Sequence, residues 1–323
     1  MPGRRAFLLA TAFAAAAGAA CADELPFPSR PVKLVVGYPV GGSNDRIARE
    51  LARRLAEAWR IPVSVENQAG SGGTVGADVV AKAKPDGYTL CFLSSSFATN
   101  AAIEPRLPFD PLRSFAPVAM VARGPMILAV SNHVPAHTTL ELFALARQQP
   151  GKLTFASAGP NSSGRFAAEL LMDSADIRLK HAPYQGVAPA LTDLIAGRVD
   201  ILFASAPSIY RQVKAGTVRA LGVTSANRSP LLPDLPPISQ MGAPGYRFEI
   251  WWGVLAPAGT PADLVERINA AIAAILASPQ MKEALAKEGA EAAPLAPTAF
   301  AEVIARDIGR WRKVASQSDI KPE

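Results

Sequence analysis

"VVGYPVGGSNDRIARELARRLA", residues 35–56, decides how this chain is organised. An apolar run is followed by a glycine turn and then by a helical pattern that puts Ile47, Leu51 and Leu55 on one face. A strand, a turn and an amphipathic helix in this order are typical of a parallel α/β sheet. Because backbone N–H groups at helix starts attract anions, the turn is a candidate binding loop.

The same alternation of strand and helix patterns continues along the chain. Further strand-like runs are PVSVENQ, YTLCFLSSS, PMILAVS, KLTFASAG, RLKHAPYQG, VDILFASA, VRALGVTS and IWWGVLAP. Extended segments near 122–130 and 249–257 are expected to join two α/β units. The sequence therefore predicts an α/β fold with two domains, each a mostly parallel sheet flanked by helices. Domain 1 is predicted to comprise residues 26–125 and 249–323, and domain 2 residues 126–248, with a ligand cleft between them.

The first 22 residues read as a cleaved secretory signal peptide, with a basic start, a short apolar stretch and small residues at Ala20 and Ala22. Export by the Sec route and export by the twin-arginine route, suggested by Arg4 and Arg5, both stay open. Lipid attachment at Cys21 is a further alternative, although Gly18 stands where a leucine-like residue is needed. We expect a periplasmic protein.

Charge and cysteine content exclude several classes of function. The 323-residue chain carries a net charge of +6, and loss of the signal peptide leaves about +4, from basic residues that are scattered singly. This pattern argues against nucleic acid as a partner. Cys91 is the one cysteine of the mature chain and lies in an apolar run, so we expect a buried thiol without a disulfide. The histidines lack metal-ligand spacing, and we predict no metal and no cofactor.

Motifs for nucleotide binding and for covalent catalysis are missing from the sequence. The turn GYPVGG lacks the G-x-G-x-x-G spacing, and no lysine follows it to meet a phosphate. There is also no G-x-S-x-G, Walker A or H-E-x-x-H motif. We therefore expect a binding protein rather than an enzyme.

Small and hydroxylic residues recur where predicted strands end. They occur at 41–43, 94–96, 157–163, 184–186 and 204–205. Any one of these turns is explained by helix capping, but five at facing sheet edges predict a cleft for a small anion. Arg165 either reaches into that cleft or points at solvent. Asp45 is better explained as a capping carboxylate in the first turn of its helix.

Several motifs in this order resemble the Bug-type, TctC-like periplasmic solute-binding proteins of tripartite tricarboxylate transporters. They are RPVKLVVGYPVGGSNDRIARELARRL, VSVENQAGSGGTVGADVVAKAKPDGYTL, LPFDPLRSFAPVAMVA, PGKLTFASAG, HAPYQGVAPALTDLIAGRVD, LLPDLPPISQMG and WWGVLAPAGTPADLVERIN. The resemblance runs from about residue 27 to residue 315. It implies a type II-like Venus-flytrap fold, and a monomer that passes a small carboxylate to a membrane permease.

The resemblance also implies that the carboxylate is held at two facing loops, Tyr38–Asp45 and Ala182–Ala190. The chain departs from the family pattern at Val40, Asn44, Gln185 and 164–166, which leaves the identity of the carboxylate open: a di- or tricarboxylate, an acidic amino acid or an aromatic acid. The predicted ligand-binding residues are Tyr38, Val40, Gly41, Gly42, Ser43, Asp45, Ser95, Ser96, Ala158, Gly159, Ser162, Ser163, Arg165, Tyr184, Gln185, Gly186, Ala188 and Ser205. Two alternatives are a receptor that serves a sensor kinase and a secreted enzyme acting on a small carboxylic acid.

Overall fold

The computed structural model describes residues 27–317 and residue 320. The predicted signal peptide, including Cys21, lies outside these residues. The strands are β1 (Val32–Val36), β2 (Val63–Asn67), β3 (Thr89–Ser94), β4 (Phe115–Val130), β5 (Thr154–Ser157), β6 (Lys180–Pro183), β7 (Ile201–Ser205), β8 (Arg219–Val223), β9 (Glu249–Pro257) and β10 (Glu291–Leu295). The α-helices are α1 (Ser43–Trp59), α2 (Thr74–Ala81), α3 (Ser96–Ile103), α4 (Thr139–Gln148), α5 (Ser163–Ala175), α6 (Val187–Ile195), α7 (Ala206–Lys214), α8 (Ala262–Ala277), α9 (Pro279–Lys287) and α10 (Pro297–Gln317).

The strands form one curled sheet in the order β2-β1-β3-β9-β4-β7-β5-β6, with β8 and β10 also paired to β4. Strand β4 is 16 residues long. Its first part pairs with β9 and β10, and its last part pairs with β7 and β8, so β4 belongs to two halves of the molecule. We call the half with β1–β3, β9 and β10 the first half and the half with β5–β8 the second half.

The sheet as a whole is mixed, because the two crossing strands run between the parallel strands of each half, as predicted. Strands β1–β3 are parallel to one another, as are β5–β7, but β4 and β9 run antiparallel to their neighbours. The physical reason is that β4 leaves the first half and β9 returns to it, so these two connecting strands run in opposite directions. The α/β architecture itself is as predicted.

The strand directions bring the two sets of carboxyl ends face to face. Strands β1–β3 run in the same direction as β4, toward the second half, whereas β5–β7 run against β4, toward the first half. Ser94 at the end of β3 aligns with Ala122 of β4 through Trp252, and Ser205 at the end of β7 aligns with Met126. Four residues of strand separate these levels, or about 13 Å. The cleft therefore spans the middle of β4.

Hydrophobic residues explain the helices and their packing. The predicted inner face of α1, formed by Ile47, Leu51 and Leu55, is buried. The C-terminal helix α10 packs against both halves, because Trp311 contacts Phe166 of α5 in an edge-to-face arrangement and belongs to a cluster that also contains residues of α3. One core cluster is thus shared by the two halves, and each half has a second cluster on its other face.

Strand β10 was not predicted from the sequence. Its segment, EAAPL, is rich in alanine and contains proline, residues that disfavour strands. It forms a strand because β4 offers it an unpaired edge, with Glu291 opposite Arg123 and Ala292 opposite Ala122.

Candidate functional site

The predicted site residues lie at the carboxyl ends of the parallel strands in both halves. Those of the first half follow β1 and β3: Tyr38, Val40, Gly41, Gly42, Ser43, Asp45, Ser95 and Ser96. Those of the second half lie at or after the ends of β5, β6 and β7: Ala158, Gly159, Ser162, Ser163, Arg165, Tyr184, Gln185, Gly186, Ala188 and Ser205. Since these ends face each other across the middle of β4, the two groups lie on facing edges of the two halves, which we call the first wall and the second wall of the predicted cleft.

Tyr38 ties the first wall together through its phenol. Its hydroxyl lies 2.6 Å from Ser96 Oγ and accepts hydrogen bonds from the backbone N–H and the hydroxyl of Ser94, at 3.2 and 3.0 Å. Burial raises the pKa of Tyr38, and the hydrogen bonds with Ser94 and Ser96 only partly oppose this. The side chain of Tyr38 therefore holds the ends of β1 and β3 together, and its neutral hydroxyl is already in use.

Asp45 fixes the shape of the loop that precedes α1. One carboxylate oxygen accepts hydrogen bonds from Gly41 N–H and Arg49 Nε, both at 3.0 Å, and the other accepts from the side-chain amide of Asn67 at 2.8 Å. Burial alone would raise its pKa, but the bonds from Arg49, Gly41 and Asn67 outweigh it, so the pKa of Asp45 is lowered. The carboxylate is taken up by Gly41, Arg49 and Asn67. Asp45 therefore fixes the loop before α1, and the predicted capping of the first N–H groups of the helix is wrong, because the bonded N–H belongs to Gly41, before the helix.

Arg165 takes part in a chain of polar contacts beneath the second wall. Its Nε donates to Glu169 at 2.6 Å, and its guanidinium also contacts Nδ1 of His181. Nε2 of His181 lies 2.7 Å from the hydroxyl of Ser157, which lies 2.8 Å from the carbonyl oxygen of Gly159. Arg165 is thus committed to Glu169 and His181.

The direction of these hydrogen bonds argues against an activated serine. A guanidinium only donates, so Nδ1 of His181 accepts from Arg165 and Nε2 carries the proton, which it donates to Ser157. Ser157 in turn donates to Gly159. Burial and the charge of Arg165 lower the pKa of His181 to about 4. A histidine that acts as general base accepts a proton from serine and is oriented by a carboxylate. Here His181 donates to Ser157 and is held by the cation Arg165.

The remaining polar groups of the second wall are arranged around α6 and α7. The hydroxyl of Tyr184 donates to Asp193 at 2.7 Å, which itself pairs with Arg198. The side chain of Gln185 is exposed at the rim. Ser205 shares a 2.8 Å hydrogen bond with Ser208 in the first turn of α7.

Four helices, α1, α3, α6 and α7, begin at the facing strand ends without a side-chain cap. Helices α2 and α8 also lack one, whereas Thr138 caps α4, Ser278 caps α9 and Ser162 caps α5, which begins at the second wall. The first N–H groups of a helix need an acceptor, and each N-terminus carries about half a positive charge. The cleft walls therefore offer backbone donors to an anion.

The arginines nearest these helix starts are already neutralised by carboxylates. Arg46 forms a fork with Glu288 through two contacts of 2.6 Å and also contacts the carbonyl oxygen of Gly41. Arg49 pairs with Asp45, as described above. An anion in the cleft would consequently meet dipoles and hydroxyls rather than an unpaired arginine.

A direct hydrogen bond links the two walls. The hydroxyl of Thr99 on α3 contacts the carbonyl oxygen of Asn161 in the loop before α5, at 3.1 Å. Near this contact, Ser95 Oγ and Asn161 Oδ1 are buried with no hydrogen-bonding partner in the described part of the chain, and the same holds for Asn44 Oδ1 at the start of α1. Buried polar atoms without partners are costly. The hydroxyl of Ser95 can donate to a carboxylate, whereas the two amide oxygens only accept and need a water or a ligand O–H or N–H group.

Asn161 and Asn44 were missed by sequence reasoning. Both lie inside the turns GPNSSG and GGSND, in which glycine and serine are predicted site residues. The presence of an asparagine inside a turn rich in glycine and serine is the sequence signal that could have identified them.

Metal-ligand clusters and candidate membrane-spanning helices are both absent from residues 27–317 and 320. Within them no group of three or more His, Cys, Asp or Glu side chains could hold a metal ion. None of the helices in that part of the chain is long and apolar enough to cross a membrane.

Comparison with known proteins identifies what the chain is similar to. A family model described as "Tripartite tricarboxylate transporter family receptor" matches residues 47–320. The "UPF0065 protein in tcbD-tcbE intergenic region" of Pseudomonas sp. (strain P51) is 42% identical over 314 residues, which cover 97% of this chain and 94% of that protein.

Solved structures agree with this family. R. palustris Rpa4515 with adipate has a TM-score of 0.84 and 35% identity, covering 92% of this chain and 100% of that one. The periplasmic binding protein BugD has a TM-score of 0.80 and 31% identity, with coverages of 92% and 100%. MatC (Rpa3494) from Rhodopseudomonas palustris with bound malate has a TM-score of 0.77 and 30% identity, with coverages of 89% and 99%. The predicted family and fold class are confirmed.

Proposed function

Because the chain belongs to the tripartite tricarboxylate transporter receptor family, we propose that it captures a small carboxylate in its cleft and delivers it to a membrane permease. It acts in the periplasm as a monomer, after export by the signal peptide. The domains are residues 26–125 with 249–323, and residues 126–248. The observation that carries the proposal is the set of four uncapped helix N-termini at the facing strand ends.

The ligand class that fits best is a short linear dicarboxylate. Helices α1 and α3 start on one wall and α5, α6 and α7 on the other, and each N-terminus carries about half a positive charge, so both walls attract a carboxylate. Of the 13 Å between strand ends, two hydrogen bonds of about 2.9 Å leave about 7 Å for the ligand. Relatives with adipate and with malate bound support this class.

The residues that contact the ligand are the predicted ones whose groups remain available. In the first half these are the backbone of 40–43 and the hydroxyl of Ser95. In the second half they are the backbone N–H groups of 158–163 and 185–188, together with the side-chain N–H group of Asn161, which is outside the predicted set. The hydroxyl of Ser205 is already bonded to Ser208. Tyr38, Asp45 and Arg165 support the walls, because their side-chain groups are taken by other residues.

The alternatives are weaker on physical grounds. A secreted enzyme lacks an activated nucleophile, since His181 is neutral and faces Arg165 instead of an acid. A receptor that serves a sensor kinase would bind the same ligand, and differs only in the membrane protein with which it co-purifies.

The test is thermal unfolding of the mature protein after refolding to remove bound ligand. The panel contains adipate, malate, citrate, acidic amino acids and benzoate. A ligand at 100 times its Kd adds about 2.7 kcal/mol, which raises the Tm of a large domain by about 5 °C or more. Hexanoate and 1,6-hexanediol are the controls. Both have the six-carbon chain of adipate, but hexanoate has one carboxylate and 1,6-hexanediol has none. Stabilisation by adipate alone supports two-point recognition, and a flat panel with folded protein contradicts the proposal.

Ser95→Ala separates binding from folding. Ser95 Oγ is buried without a partner among the described residues, so its loss should leave the Tm of the unliganded protein unchanged while weakening ligand binding about tenfold. Ser94→Ala is the matched control, because Ser94 bonds to Tyr38 and its loss should lower the Tm of the unliganded protein. Unchanged affinity in Ser95→Ala would remove this hydroxyl from the site.

A further inference from the structure

The turn between α9 and β10, formed by Glu288 and Gly289, lies where the two halves of the molecule meet. A Cβ added at Gly289 would lie 2.4 Å from Cβ of Ala206, 3.2 Å from Leu231 and 3.4 Å from Pro207. Ala206 is the first residue of α7, in the second half, and directly follows Ser205 of the cleft wall. The first half therefore touches the start of α7 closely enough that only glycine fits.

The same turn is attached to the opposite wall of the cleft. Glu288 receives the two-contact fork from Arg46, and Arg46 also contacts the carbonyl oxygen of Gly41 in the loop before α1. Beside the turn, a Cβ on Gly124 in the middle of β4 would lie 2.7 Å from the carbonyl oxygen of Gly289. Backbone packing against β4 thus leaves the turn little room to move.

We propose that Gly289 is a positioning residue, which sets the separation of the two ligand-holding walls. The 288–289 turn holds the loop before α1 through Arg46 and meets the start of α7 through Gly289. A methyl group at position 289 separates the walls, because ordinary carbon contacts begin near 3.4 Å and the new contact with Ala206 would be 2.4 Å. The halves must then move apart by about 1 Å at this point, and binding geometry tolerates less than that.

The test is a double-mutant cycle with Gly289→Ala and Ala206→Gly. Ala206→Gly removes the atom that the new methyl group would strike, so the double variant should recover the loss caused by the clash but not the strain of a left-handed alanine. Gly151→Ala is the matched control, because Gly151 has a similar backbone angle, φ 72° against 62°, and no neighbour within 4 Å of an added Cβ. It reports the strain of a left-handed alanine without a clash.

Two readouts do not depend on any ligand. The first is the Tm of the unliganded protein. The second is the distance between spin labels on cysteines introduced at Leu112 and Ile195, which are exposed in the first and second halves, while buried Cys91 stays unlabelled. We expect Gly289→Ala to lower the Tm more than Gly151→Ala does and to shift the label distance. We expect Ala206→Gly to bring the loss of Tm back to that of Gly151→Ala and to restore the label distance. If Gly289→Ala matches Gly151→Ala, or if Ala206→Gly fails to restore it, the proposal is overturned.

Ligand binding gives a third readout, which rests on the proposed function. The Kd for adipate should rise about tenfold in Gly289→Ala and return in the double variant. If the wild-type protein binds no acid of the panel, the proposed function fails, yet the Tm and the label distance still decide whether Gly289 spaces the walls. If adipate binds equally well to wild type and to Gly289→Ala, position 289 does not position the ligand-holding walls.

Discussion

Replacement of Asp45 by asparagine tests whether the loop before α1 is held by a buried charge. The carboxylate is 2% exposed and accepts from Gly41, Asn67 and Arg49. Asparagine keeps the shape of the side chain but removes its charge. It also replaces one carboxylate oxygen by an NH2 group, which would face the donors Gly41 N–H, Arg49 or Asn67. Hydrogen bonds to charged groups contribute about 1.5–3 kcal/mol, and the pair with half-exposed Arg49 adds less than about 1. We expect a loss of about 2–4 kcal/mol at pH 7.

The pH dependence gives this prediction a second check. The folded-state pKa of Asp45 is lowered from its usual 3.8, so its stabilising effect is complete above that value and disappears as the pH falls through the lowered pKa. The gap in unfolding free energy between wild type and Asp45→Asn should therefore be constant from pH 7 to about 5 and shrink in acid.

Urea unfolding followed by circular dichroism measures this gap. A Tm lower by about 4–8 °C should accompany it in calorimetry. Glu283→Gln is the control, since Glu283 also belongs to an (i, i+4) pair on a helix but is exposed, and it should change nothing measurable. Equal stability of Asp45→Asn and wild type at pH 7 would refute the reasoning, as would a gap that persists unchanged at pH 3.

Two other predictions concern buried packing and protonation. His181, with its pKa lowered to about 4, should show a neutral Nε2–H ring by nitrogen NMR at pH 5, and a protonated ring at that pH would contradict the hydrogen-bond directions. The contribution of the neutral ring to the free energy of unfolding should be lost as the pH falls from about 6.5 to 4. Gly253→Ala should lower the free energy of unfolding by about 1–3 kcal/mol or more, because the new Cβ would lie 2.2 Å from Phe300 in the core and 3.0 Å from the carbonyl oxygen of Ala119. Gly309→Ala on α10 has no neighbour within 4 Å of the added Cβ and should stabilise the protein slightly. Equal free energies of unfolding for the two variants would exclude the clash.

Local sequence patterns were sufficient for the parts of the fold that depend on local physics. The spacing of Ile47, Leu51 and Leu55 predicts the buried face of α1, because helical periodicity is written in neighbouring residues. Glycine and serine at strand ends likewise locate the candidate walls, since turns and helix starts need these residues.

Long-range partners could not be predicted in the same way. Arg165 was assigned either to the ligand or to solvent, and its contacts with Glu169 and His181 depend on how α5 packs on β6. The strand β10 depends on the free edge of β4, which no local pattern in its own segment indicates. The tight contact of Gly289 with Ala206 joins positions far apart in the chain and could be found only in three dimensions.

The continuity of β4 has a consequence for how this sequence can change. In its last part the side chains alternate between faces, so that Leu128 and Val130 enter the core cluster shared by both halves while Ile127 and Ala129 enter the separate cluster of the second half. In its first part the alternation is interrupted by register shifts at 117–119 and 120–122. Inserting or deleting one residue between 122 and 126 would turn the side chains of the last part to the opposite face. Insertions are tolerated in surface loops. In β4, however, a change of length would alter the strand pairing of both halves at the same time. Relatives that differ in loop length should therefore keep its residue count.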